Sequence, residues 1–242
     1  MQGHGRTQNT GTISATGTGV LNVIMWSDYD GDNVGGGSTL GAGGSISTNN
    51  GHIWMGGSNS NGGSYTWNGL TVGDGPSTGA SGANCHAIDL FGPITTGGGD
   101  VLLWASNNGG CGIGGIVSDG TRHINAGSGD ITLIAYQTSG AIELTSTGLI
   151  SLVPHTGSYS SALTLGGTLT SGHFTFNTGF YNGLKINSLA NSGLVIGNYS
   201  GHFSGATAVT QGNSSNVTVS SALSTKSLEI YGGALTLSSI IS

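Results

Sequence analysis

The chain has 242 residues, 49 of them glycine, with 6% charged residues and a formal net charge of −6. Ordinary soluble domains hold about 7% glycine and about 25% charged residues. This composition therefore excludes a helical protein, charge-driven disorder and, with 3 prolines and no three-residue glycine period, collagen.

The opening stretch, Met1-Gln2-Gly3-His4-Gly5-Arg6, is polar and lacks the apolar core of a signal peptide. It reads as the start of a mature piece of something longer. Asp28-Tyr29-Asp30-Gly31-Asp32 then places three carboxylates at alternate positions in a glycine-containing turn, a spacing at which calcium finds oxygen ligands. The glycine sits at the fourth position and Thr39 stands at the twelfth, both departures from the EF-hand loop. A solvated acidic corner is the favoured reading, with calcium at Asp28, Asp30 and Asp32 as the alternative. No other cofactor is expected.

Three stretches share one phrase: Ser45 to Met55, Pro93 to Leu103 and His123 to Leu133 each read as strand, glycine-rich corner, His or Asp, then strand. His52, His173 and His202 follow glycine and precede an apolar residue, which suits a ladder of stacked corner residues better than catalysis. Trp26, Trp54, Trp67 and Trp104 are confined to the first half. They suit either surface contact, by sugar stacking or against a neighbouring chain, or a covering role over core and loop. Cys85 and Cys111, 26 residues apart in glycine-rich loops, are expected to form a disulfide in an exported protein.

From about residue 126 the repeat is plainer. Leu163/Leu165, Phe174/Phe176, Leu184/Ile186, Leu194/Ile196, Val217/Val219, Leu228/Ile230 and Leu235/Leu237 are apolar pairs at i and i+2, mostly about ten residues apart. Strands this short do not make a sandwich, but they suffice for a solenoid whose coils bury a continuous core between neighbours. The expected fold is all-β: one β-solenoid domain over residues 1–242, a parallel β-helix with Gly/Asn-rich corners. Its part up to about residue 125 is more decorated, and the rest is more regular. At about 20–24 residues per coil and about 4.8 Å per level, roughly ten coils would make a rod of about 50 Å.

Gly193-Leu194-Val195-Ile196-Gly197-Asn198, Ser215-Asn216-Val217-Thr218-Val219-Ser220 and Leu228-Glu229-Ile230-Tyr231-Gly232-Gly233-Ala234-Leu235-Thr236-Leu237 resemble the passenger repeats of filamentous-haemagglutinin-like exoproteins. Gly19-Val20-Leu21-Asn22-Val23, leading into the acidic turn, resembles them too. The resemblance implies a right-handed parallel β-helix from a large bacterial surface protein of the two-partner secretion type, used in adhesion, biofilm and competition between cells. The secretion domain of that family carries Asn-Pro-Asn turns; this chain has no Asn-Pro, so the resemblance implies a repeat segment.

The expected function is a structural or adhesive module of an extracellular bacterial fibre. Its partners would be further copies, the continuation of the same polypeptide, or a glycan or cell surface. Four basic residues, Arg6, Arg122, Lys185 and Lys226, build no phosphate-neutralising surface, and no run of about 18 apolar residues spans a membrane. The competing reading is a carbohydrate-binding or carbohydrate-active β-helix, a lyase or hydrolase. Its paired carboxylates and basic residues are not evident, because the acids are spread singly, so an enzyme is not expected.

Overall fold

The computed structural model describes residues 1–32, 34–79, 86–106, 115–155, 163–165, 173–175, 184–187, 191–197, 203–204, 216–219 and 223–238. The described residues are all-β and contain no α-helix. Each of the first three strands goes to a different sheet: β1 (Thr7–Asn9), β2 (Thr12–Ser14) and β3 (Val23–Trp26). The next three repeat the order: β4 (Ser38–Leu40), β5 (Ser45–Ser47) and β6 (Ile53–Gly56). A hairpin of β7 (Ser64–Trp67) and β8 (Leu70–Gly73) interrupts the series.

The order then resumes with β9 (Ile88–Leu90), β10 (Ile94–Thr95) and β11 (Val101–Trp104), and with β12 (Ile116–Val117), β13 (Arg122–Gly127) and β14 (Ile131–Ala135). A fifth circuit follows: β15 (Thr138–Ser139), β16 (Ile142–Ser146) and β17 (Leu149–Pro154). Beyond it lie β18 (Leu163–Leu165), β19 (His173–Thr175), β20 (Leu184–Asn187), β21 (Gly193–Ile196), β22 (Phe203–Ser204), β23 (Val217–Val219), β24 (Ser227–Ile230) and β25 (Leu235–Leu237).

Pairing within the three main sheets is parallel, apart from β19 against β20 at one edge. In the sheet β3-β6-β11-β14-β17-β21-β24, Val23, Ile53, Val101, Ile131, Ile150, Leu194 and Leu228 stand in one file. Two residues on, Met25, Met55, Leu103, Leu133, Leu152, Ile196 and Ile230 stand in the next. Both files face the main core, because alternate side chains of a strand share a face. Across the core, Ile13, Ile46, Ile94, Ile124, Leu144 and Ile186 form the matching file of the β2-β5-β10-β13-β16-β20 sheet. Burying each of these side chains fully contributes about 1.5–3 kcal/mol, which is why strands of three or four residues suffice.

The three stretches that share one phrase are therefore stacked in register, with Ile46 on Ile94 on Ile124 and Ile53 on Val101 on Ile131. Among the described residues the long file has seven levels, fewer than the roughly ten coils expected. The steps are longer than 20–24 residues in most places. The shortest, Ile131 to Ile150, takes 19 residues, and the longest, Ile53 to Val101, takes 48 because it contains the β7–β8 hairpin.

One corner explains both the glycines and the His/Asp positions. The N–H of His52 donates to Asn22 Oδ1 (2.8 Å), that of Asp100 to His52 Nδ1 (3.0 Å), that of Asp130 to Asp100 Oδ1 (2.8 Å) and that of Leu149 to Asp130 Oδ1 (2.7 Å). Each side chain thus satisfies a backbone donor at the next level, at the point where the chain turns into a strand. The ladder expected for His52 is present; the side chain of His173 and all of His202 lie outside the described residues.

The residues just before these rungs are Gly51, Gly99 and Gly129. A Cβ on Gly51 would stand 2.0 Å from the Leu21 carbonyl oxygen, one on Gly99 2.1 Å from that of Gly51, and one on Gly129 2.2 Å from that of Gly99. The corner admits no side chain pointing along the stack.

Candidate functional site

The acidic turn follows β3. Asp28 has left-handed backbone geometry (φ 52°), as does Gly31 (φ 64°), and the Gly31 N–H donates to the Asp28 carbonyl at 3.1 Å. An aspartate tolerates that region better than most residues. The turn swings Asp28 inward and leaves Asp30 half-buried and Asp32 exposed.

Asp28 is fully buried. A Cβ on Gly36 would fall 2.1 Å from its Cβ, so the returning chain passes against it only because residue 36 is glycine. Thr78, fifty residues on, donates its hydroxyl to Asp28 Oδ2 (2.9 Å) and its N–H to the Gly36 carbonyl (2.5 Å). Asp28 Oδ1 has no hydrogen-bond partner, and neither has the buried Asp30 Oδ1. Asp30 Oδ2 lies 3.4 Å from His4 Nδ1, while Asp32 Oδ1 accepts the Val34 N–H (2.8 Å). One ligand oxygen from each aspartate lies within 4.8 Å of the others. Such a set of hard oxygen donors can hold a divalent cation.

Burial pushes the Asp28 carboxyl up to about 6; the Thr78 hydroxyl works against the rise, and the Asp32 and Asp30 carboxylates add to it. The ordinary value is 3.8, so the fold favours the protonated form. Its contribution to stability is complete below about pH 4 and is lost as pH rises through about 6. Asp28→Asn keeps the shape and cannot ionise. In chelator at pH 8 this variant is expected to be more stable than the parent by on the order of 2 kcal/mol, with the two converging near pH 4. Urea unfolding at the two pH values checks this, and a variant less stable than the parent at pH 8 would contradict it.

The four tryptophans are not a contact surface. Trp26, Trp54, Trp67 and Trp104 are all buried. Strand alternation does point Trp54, and with it Ile24 and Leu102, away from the main core, since the three pair across β3, β6 and β11. The β7–β8 hairpin supplies Trp67 and Val72 to the same side, and together they form a second apolar cluster with Trp26, Trp104, Ile134 and Val153. Of the two sequence readings, the covering role is the one found.

Cys85 and Cys111, the expected disulfide, lie outside the described residues. Sequence reasoning missed another cluster: the buried Asp89 pairs with Arg6 and accepts hydrogen bonds from Thr39 Oγ1 (3.2 Å) and His86 Nδ1 (2.8 Å). Burial and then the charge of Arg6 lower the pKa of His86, which suits a neutral imidazole donating to a carboxylate already neutralised by Arg6. The chain separation between residues 6, 39 and 89 hides this set from any local motif; only the parallel pairing of β1, β4 and β9 brings it together.

Compared with known proteins, the chain matches no family model, no curated protein and no solved structure.

Proposed function

We propose that the chain is part of a right-handed parallel β-helix that serves as a structural and adhesive module of an extracellular bacterial surface fibre, stacking end to end. The observation that carries this reading is the exposed apolar end of the stack. Strand β25 pairs with β23 on one side, and its three residues are exposed, Leu235 by 51% and Leu237 by 53%. Tyr231, four residues earlier, is 41% exposed.

Edge strands of proteins that stay monomeric are usually blunted by charge, proline or a bulge, and Leu235-Thr236-Leu237 carries none of these. At the other end β1 and β2 pair on one side among the described residues. Parallel strands joined by crossovers take the right-handed path in almost all known cases, which supports the handedness. The outward file Ser14, Ser47, Thr95, Asn125, Thr145 and Asn187 is a hydrogen-bonding surface suited to glycans or lateral neighbours. The extracellular setting rests on the resemblance to the exoprotein repeats.

Sedimentation velocity tests the stacking. The sedimentation coefficient of the wild-type chain is expected to rise with concentration, while the Leu235→Lys/Leu237→Lys double variant stays at one small species with unchanged circular dichroism. A wild-type chain that sediments as a monomer at every concentration would overturn the reading.

A further inference from the structure

We propose that Asp28, Asp30 and Asp32 form a calcium site that fastens the turn after β3 to the segments packed around it. The site stands independently of the stacking reading. Two observations carry it.

The first is convergence. Two ligands of one ion lie no farther apart than twice the metal–oxygen distance, which is about 4.6–5.2 Å for calcium and about 4.2 Å for magnesium. Three carboxylate oxygens within 4.8 Å of one another fall inside the calcium limit without rearrangement.

The second is the fully buried Asp28. One of its oxygens is satisfied by Thr78, and the other, Oδ1, has no hydrogen-bond partner, a condition shared by the buried Oδ1 of Asp30. Buried carboxylate oxygens are expensive to leave unpaired, and a cation is the kind of partner such oxygens take. Protein charge does not do this. The cluster's ion-pair partner among the described residues is His4, whose side chain is 74% exposed, and Arg6 is engaged with Asp89. Three carboxylates facing one solvated imidazole leave a local excess of negative charge that a divalent ion reduces.

The ion would act where several segments meet. The Tyr29 N–H donates to the Gly3 carbonyl (3.0 Å), the Gly62 N–H donates to the Tyr29 carbonyl (2.8 Å), and Thr78 holds Asp28 and Gly36. The Tyr29 ring lies 5.1 Å from that of Trp26, so the second apolar cluster adjoins the site. Fixing the turn fixes the N-terminal segment and the stretches on both sides of the β7–β8 hairpin.

The test is isothermal titration calorimetry of calcium chloride into the chelator-treated 242-residue chain, with magnesium chloride alongside. One calcium per chain is expected, bound at least about tenfold more tightly than magnesium. The unfolding midpoint should rise by about 5–10 °C at calcium a hundredfold above the dissociation constant.

Asp30→Asn and Asp32→Asn alter the outer carboxylates and spare the buried one. Each is expected to leave circular dichroism unchanged and to weaken calcium binding about tenfold or more. Absence of saturable calcium binding up to about 10 mM, above the weakest extracellular calcium modules, would overturn the proposal. So would undiminished binding in both variants, or magnesium binding as tight as calcium.

Discussion

Replacing Gly99 by alanine is expected to destabilise the chain by about 3 kcal/mol, the upper part of the usual range for overpacking. The new Cβ would meet the carbonyl oxygen of Gly51 at 2.1 Å and its carbon at 2.4 Å, both backbone atoms that cannot rotate aside. Relief requires the two levels to separate, and that separation would stretch the rung from His52 to Asp100 and the paired strands β6 and β11. Gly120, where an added Cβ meets nothing within 4 Å, is the control. Its alanine variant should stay within about 0.5 kcal/mol of the parent or gain slightly from a stiffer unfolded chain. Urea midpoints of the two variants check the contrast. Equal effects would mean that the levels are not stacked this closely.

Trp54→Ala carries the second large effect, a loss of about 3–5 kcal/mol. The ring is fully buried, lies 6.3 Å from that of Trp26 and points away from the main core into the cluster covered by the β7–β8 hairpin. A surface aromatic serving a glycan or a neighbouring chain would cost no more than about 0.5 kcal/mol on removal. The indole Nε1 has no hydrogen-bond partner, so Trp54→Phe, which keeps most of the ring, should cost much less than alanine. Chemical unfolding of both variants separates these outcomes. A near-neutral Trp54→Ala would restore the tryptophans as a contact surface.

How much of this was legible in the chain depends on the range of the interaction. The pairs Leu184/Ile186 and Leu194/Ile196 are period-two signals, and each pair is buried in the main core. The shared phrase around His52, Asp100 and Asp130 was readable as a corner, and its three copies do stack. The reason for the phrase was not readable, because each rung accepts a hydrogen bond from a residue 19 to 48 positions later.

The length of each circuit was not readable for the same cause. A ten-residue rhythm gives the length of strand plus turn, but it cannot say which strand closes a circuit once a hairpin is inserted between β6 and β9. Alternation correctly sends Trp54 away from the main core, but its cover comes from Trp67 and Val72, beyond the reach of any local pattern. The three aspartates were visible as a motif. The burial of Asp28, which separates the turn from a solvated corner, is made by Gly36 and Thr78.

End-to-end stacking is the central claim, and electron microscopy of the purified wild-type chain over a range of concentrations tests it most directly. The account predicts unbranched rods of constant width whose mean length grows with concentration and which do not form in the Leu235→Lys/Leu237→Lys variant. Uniform short particles at every concentration, identical in wild type and variant, would contradict it.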